Sequence, residues 1–237
     1  NGVDDTIGIA IQKDFWSQMF TMKGLFNAFD SYPNIWVEDE NGELVYGATL
    51  PGTKDALAAL HQMYVDGLID PEFGVKTGGK VAEATTAGKC GIAFGAQWNS
   101  IYPLQDSWNL GKDEGCQWQA FAIPTATDHK AKAMTDVGTT SWTVVRKDVE
   151  HPEAVVKMYN LFIDKCWGPE NENGVYYAPL DSESIWKLSP VTPTKPDKNL
   201  NAFLELEAGR QSGDMSGVTG EGYSILQKLQ AFESGTE

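Results

Sequence analysis

Residues 81–99 read VAEATTAGKCGIAFGAQWN. Val81 to Ala87 reads as a short helix ended by Gly88, a residue free to take the left-handed conformation that closes helices. Cys90 to Phe94 reads as a buried strand from its length and apolar composition. Gly95-Ala96-Gln97-Trp98-Asn99 follows directly. A helix feeding a strand is a unit of an α/β sheet. The loop that leaves the strand's C-terminal end faces the crevice in which open α/β sheets hold ligands.

The rest of the chain extends this pattern. Thr6 to Ile11 is a second buried strand by composition. Asp14 is placed to cap a helix bearing Phe15, Met19, Met22, Phe26 and Phe29 at helical spacing. Ile35 to Asp39 and Glu43 to Tyr46 flank Asn41-Gly42, the strongest short-range hairpin signal. Thr53 to Asp66 is a helix capped by Thr53, with Leu57, Leu60 and Tyr64 on one face; Gly67 ends it and Asp70-Pro71 prevents its resumption. Gln119 to Ile123 and Ser141 to Arg146 have strand character, separated by a polar stretch without period. Pro152 suits the first turn of a helix on which Val155, Tyr159, Phe162 and Cys166 face inward. Residues 168–199 form a long excursion. Two helices follow, about 200–210 and 221–233, the second spacing Ile225, Leu229 and Phe232 for burial. Strands alternating with helices make the fold class α/β.

Composition narrows the function. With 237 residues and 41% hydrophobic content, the chain can bury a sizeable core. Thirty-three acidic against 18 basic residues give a net charge of −15. Nucleic acid and anionic membrane surfaces are therefore poor partners, since both need clustered Lys and Arg. Cys90, Cys116 and Cys166 form no C-x-x-C pair and read as small buried residues, although a Cys90–Cys116 bridge stays open. His61, His129 and His151 lie in different elements with no metal spacing and read as solvated. No phosphate loop, dinucleotide fingerprint or serine-hydrolase elbow is present. No cofactor, metal or catalytic residue is therefore expected.

The eight tryptophans are more informative. At the end of its strand, Trp98 suits a sugar: the indole face packs against pyranose C–H groups, and the amides of Gln97 and Asn99 pair its hydroxyls. The alternative is that Trp98 anchors its loop to the core. Trp16 and Phe15 open the first helix just after a strand end, where Trp16 reaches the same crevice and Phe15 suits core packing. Trp142 begins a strand, as a wall of the site or a hinge packer.

The order of elements resembles the extracellular solute-binding proteins for oligosaccharides, typified by maltose-binding protein, and more closely their Gram-positive lipoprotein branch. The resembling residues are Asn41-Gly42, Tyr46-Gly47, the helix Ala56 to Val65, the run Asp66 to Phe73, Ala87-Gly88-Lys89-Cys90-Gly91-Ile92, Trp98 and Pro152-Glu153-Ala154. The resemblance covers roughly residues 1–165. It implies a type II periplasmic-binding-protein-like fold whose lobes close over a ligand: residues 1–124 in the second lobe, 125–165 crossing to the first, and 166–237 returning. Trp98 then matches the family's sugar-stacking tryptophan, and Phe15 and Trp16 fall near an aromatic position of the same cleft. The implied function is non-enzymatic capture of an oligosaccharide for delivery to the permease subunits of an ABC importer at the cell surface. Membrane attachment would come only through a lipid anchor. Asn1 carries no initiator Met, basic region or apolar leader, so most of the first lobe and the anchor cysteine are expected to precede it. A secreted glycan-active module would instead place two carboxylates about 5–10 Å apart in the aromatic cleft, and a scaffold domain would bury Trp98.

Overall fold

The computed structural model describes residues 5–135, 139, 141–168, 175–176 and 185–235. The chain is mixed α/β and divides into two compact units, Asn1–Asp136 and Val137–Glu237. The first holds, in order, β1 (Ile7–Ala10), α1 (Lys23–Ala28), β2 (Trp36–Glu38), β3 (Leu44–Tyr46), α2 (Gly52–Val65), α3 (Gly78–Thr86), β4 (Cys90–Ala93) and α4 (Leu104–Gly111).

β1 and β4 lie parallel, with Ile7 opposite Cys90 and Ile9 opposite Ile92. A parallel pair needs a crossover, and the helices between the two strands supply it. Ile69, just past α2, bridges Ile9 on the other edge of β1. Alternate residues of a strand face opposite ways, and both sides of β1 are covered. Ile9 and Ile11 join Met22, Leu25, Phe26, Ala56, Leu60 and Ile69 in one buried cluster, while Ala10 joins Phe20, Val81, Ala82 and Cys90 in another. Each fully buried side chain of Leu, Ile or Phe size contributes about 1.5–3 kcal/mol.

The punctuation works as the sequence implies. Gly67 and Gly88 leave α2 and α3 at φ of +73° and +72°, where a Cβ would be strained. β2 and β3 pair antiparallel, Trp36 opposite Tyr46 and Glu38 opposite Leu44. Asp39 Oδ1 secures the turn by accepting from the backbone N–H groups of Asn41 and Glu43, at 2.8 and 2.9 Å. These backbone donors, Glu43 first, hold the Asp39 carboxyl below its ordinary range.

Several expectations fail for identifiable reasons. Asp14 caps no helix: α1 starts only at Lys23, and Phe20 sits at φ +53°. Of the aromatic and Met positions over 15–29, Phe15, Met19 and Met22 precede α1 on a looped segment and Phe26 lies in the helix, with Phe20 and Met22 fully enclosed. Thr53 does not cap α2, whose cap position is Pro51; its hydroxyl lies 2.6 Å from Ser31 Oγ instead. Ala56 and Leu60 form the buried face of α2, whereas Leu57 and Tyr64 are exposed. β4 is less buried than its composition implies, with Ile92 exposed. Residues 119–123 and 141–146 form no strand, for a β-rich run without a neighbour has no ladder to complete. Phe121 is accordingly exposed.

The polar stretch beyond Pro124 is tied to the α1 end. Ala126 N–H donates to Ala28 O (2.8 Å), and Met134 N–H to Oδ1 of buried Asn27 (3.0 Å). His129 spans two carboxylates, Nδ1 lying 3.0 Å from Asp128 Oδ1 and Nε2 3.0 Å from Asp30 Oδ2. The Asp128 and then the Asp30 hydrogen bonds raise the His129 pKa.

The second unit is helical: α5 (Glu153–Trp167), α6 (Lys198–Ser212) and α7 (Gly220–Glu233). Phe162 and Cys166 of α5 pack with Val191, Trp167 and Trp186. Leu206, Val218 and Leu226 form the α6–α7 core, and the Glu205 carboxylate accepts from Thr219 N–H at the start of α7. Leu226, with Ile225 beside it, fills the place expected of Leu229 and Phe232, both of which are exposed. Much of the excursion over 168–199 lies outside the described residues. Cys90, Cys116 and Cys166 are free thiols. Among the described residues no helix is long and apolar enough to cross a membrane, and no group of three or more His, Cys, Asp or Glu is placed to hold a metal.

Candidate ligand-binding site

Two loops leave the C-terminal ends of the parallel strands, one after β1 (residues 11–22) and one after β4 (residues 94–100). They are joined backbone to backbone. Thr21 N–H donates to Phe94 O (3.0 Å), Ala96 N–H donates to Gln18 O (2.9 Å), and Met19 bridges Gly95. The first loop is braced internally. The buried Gln12 amide donates to Ser17 Oγ and Met19 O, and Thr21 Oγ1 donates to Phe15 O at 3.0 Å. These bonds satisfy backbone groups that a helix would otherwise have paired, so the chain holds a fixed non-helical path.

Close packing then demands glycine at two positions. A Cβ on Gly24 would lie 2.5 Å from Phe94 Cδ1, and one on Gly95 would lie 2.1 Å from Asn99 Oδ1. No side chain is tolerated at either without displacement.

Trp98 sits in a 3-10 turn, Gln97–Ser100, and is partly exposed. Its indole Nε1–H donates to Gln18 Oε1 across the two loops, at 3.2 Å. The indole N–H is thus paired with a side chain of the neighbouring loop. Gln97 is exposed. Asn99 is 5% exposed and works inward: Nδ2 donates to Gln18 O (3.3 Å), while Oδ1 is buried without a partner.

Phe15 and Trp16 are partly buried on the first core cluster. Trp16 meets Phe26 edge to face at 5.1 Å, and Phe15 lies 5.7 Å from the Phe73 ring. Their backbone is on the same joined loop as Gln18. Trp142 belongs to the second unit and is 77% exposed, in an extended run held to α5 by Thr143 Oγ1, 2.7 Å from Tyr159 OH.

Of the residues marked from sequence, the fold gathers Phe15, Trp16, Gln97, Trp98 and Asn99 onto two joined loops. It adds Gln18, which no sequence pattern singles out: a polar residue in an apparently helical run, whose partners are 80 and 81 positions away. Two clefts lie away from these loops. One is between Trp167 and the α6–α7 pair, lined by Lys198, Glu205 and Glu221; the other is an open depression along residues 48–57.

No family model and no solved structure matches the chain. A curated protein of Niallia circulans, described as an uncharacterized protein in the butB 5' region, is 30% identical over 137 residues, covering 52% of this chain and 52% of the relative. The chain thus spans about half the length of the curated relative it matches.

Proposed function

We propose that this chain captures a carbohydrate outside the cell, without catalysis, and belongs to a solute-binding protein that delivers the ligand to the permease of an ABC importer. The finer fold in this reading is a type II periplasmic-binding-protein-like lobe, with the joined loops at its cleft edge. The observation that carries the proposal is Trp98, a partly exposed indole at the C-terminal edge of a parallel pair, its N–H held by Gln18. In this reading the exposed part of the indole packs on the C–H groups of a pyranose, and exposed Gln97 supplies an amide for the hydroxyls. Binding of this kind needs no carboxylate pair and no cofactor. Phe15 and Trp16 act in this account as the wall behind the loop.

The experiment is a thermal-shift screen of the whole chain against mono- and oligosaccharides, with reducing-sugar release followed in parallel. A ligand at 100 times its Kd stabilises a protein by about 2.7 kcal/mol. The proposal expects a shift with a subset of sugars and no release. Sugar release would replace binding with glycan hydrolysis, and no shift with any sugar would refute a carbohydrate ligand.

A further inference from the structure

A second feature stands apart from the joined loops. The exposed face of the β2–β3 hairpin carries Trp36 and Tyr46 opposite one another, with Glu38 and Leu44 as the next pair along. Trp36 is 67% and Tyr46 38% exposed, their rings 5.8 Å apart and tilted by 55°. Cross-strand aromatic pairs are ordinary stabilisers when something covers them. Here nothing in the described chain covers Trp36, and large exposed apolar faces mark interaction sites.

Charge says what kind of partner fits. Between residues 30 and 53 there are five carboxylates and no Lys or Arg. Glu38 shares the aromatic face, and Glu40 and Glu43 stand exposed on the turn that Asp39 secures. The 55° tilt gives the rings no common plane on which a flat sugar chain would lie. The strand register puts exposed Glu38 on the same face as the rings, a combination that attracts Lys and Arg through cation–π contact from the rings and ion pairing from the acids. From this we infer that the hairpin face is a docking surface for a basic segment of another protein, one presenting Lys or Arg side chains. The inference is independent of the sugar site at Trp98.

The test is calorimetric titration of the whole chain with a capped tetra-arginine peptide at low and at physiological salt. Wild type is expected to bind, more weakly as salt rises. Trp36→Ala is expected to weaken binding about 2- to 5-fold, the worth of one exposed cation–π contact. Tyr46→Leu, which keeps an apolar residue on the strand, and the triple change E38Q/E40Q/E43Q are expected to weaken it as well, with thermal midpoints near wild type. Unchanged binding in all three variants would overturn the inference, because the peptide would then be held by the chain's overall negative charge. It would also be overturned by an absence of peptide binding, or by Trp36-dependent binding of a neutral oligosaccharide instead.

Discussion

Gly95→Ala tests whether the two loops are joined as described. The added Cβ would lie 2.1 Å from Asn99 Oδ1 and 2.5 Å from Asn99 Cγ, so Asn99 has to move by more than an ångström. Asn99 is buried and holds Gln18 O through Nδ2. Moving it loses a hydrogen bond worth about 1 kcal/mol and adds an overpacking cost of about 1–3 kcal/mol. The sum is about 2–4 kcal/mol. With a urea slope of about 2 kcal/mol per molar, the unfolding midpoint followed by far-UV circular dichroism falls by about 1–2 M. Asn99→Ala alone removes the hydrogen bond and costs less. The double variant has no clash, so it is expected to resemble Asn99→Ala and to show coupling as large as the Gly95→Ala loss, about 2–4 kcal/mol, in a double-mutant cycle. A wild-type midpoint for Gly95→Ala, or strict additivity in the cycle, would refute the packing of Asn99 between Gly95 and Gln18.

Gly52→Ala would place a Cβ 1.6 Å from the Phe29 carbonyl oxygen. Because backbone rather than a side chain must yield, a loss of about 3 kcal/mol or more is expected, at the upper end of overpacking costs, read from the same urea curves. His129 has a raised pKa, so its contribution is complete below the unfolded value near 6.5 and is lost as pH rises through the folded value. An NMR titration is expected to place His129 above the ordinary histidine value in wild type and lower in Asp30→Asn, with Ala126 amide exchange accelerating above that pH. Val144 is 88% exposed, and Val144→Lys is expected to change stability by less than about 0.5 kcal/mol in this chain; a larger loss in thermal unfolding would mean that the 141–146 run is packed.

What the sequence disclosed was local. Asn41-Gly42 needs no distant partner to make a hairpin, and Gly67 and Gly88 end their helices by their own backbone freedom. β1 and β4 were legible as short apolar runs. The misreadings came where tertiary contacts decide. Within the run from Phe15 to Phe29 only Lys23–Ala28 is helical; the apolar residues before it are enclosed by two core clusters and the β4 loop without forming a helix. The runs at 119–123 and 141–146 have strand composition but no neighbour in the described chain. At the candidate site, the position of Trp98 after a strand is legible in the sequence. Gln18 was not, since its role exists only once residues 18 and 98 are adjacent in space. Asn99, marked from sequence as a hydroxyl partner, is turned inward to Gln18.

The central claim is that Trp98 stacks on a sugar. Its most direct test is isothermal titration of the best sugar from the screen against wild type, Trp98→Ala and Trp36→Ala. Loss of a stacked indole, counting both ring packing and buried area, is expected to cost about 1.5–3 kcal/mol, or roughly 10- to 150-fold in Kd. The account predicts that loss for Trp98→Ala, with Trp36→Ala binding as wild type does. Unchanged affinity in Trp98→Ala would contradict it and leave Trp98 as the anchor of its loop.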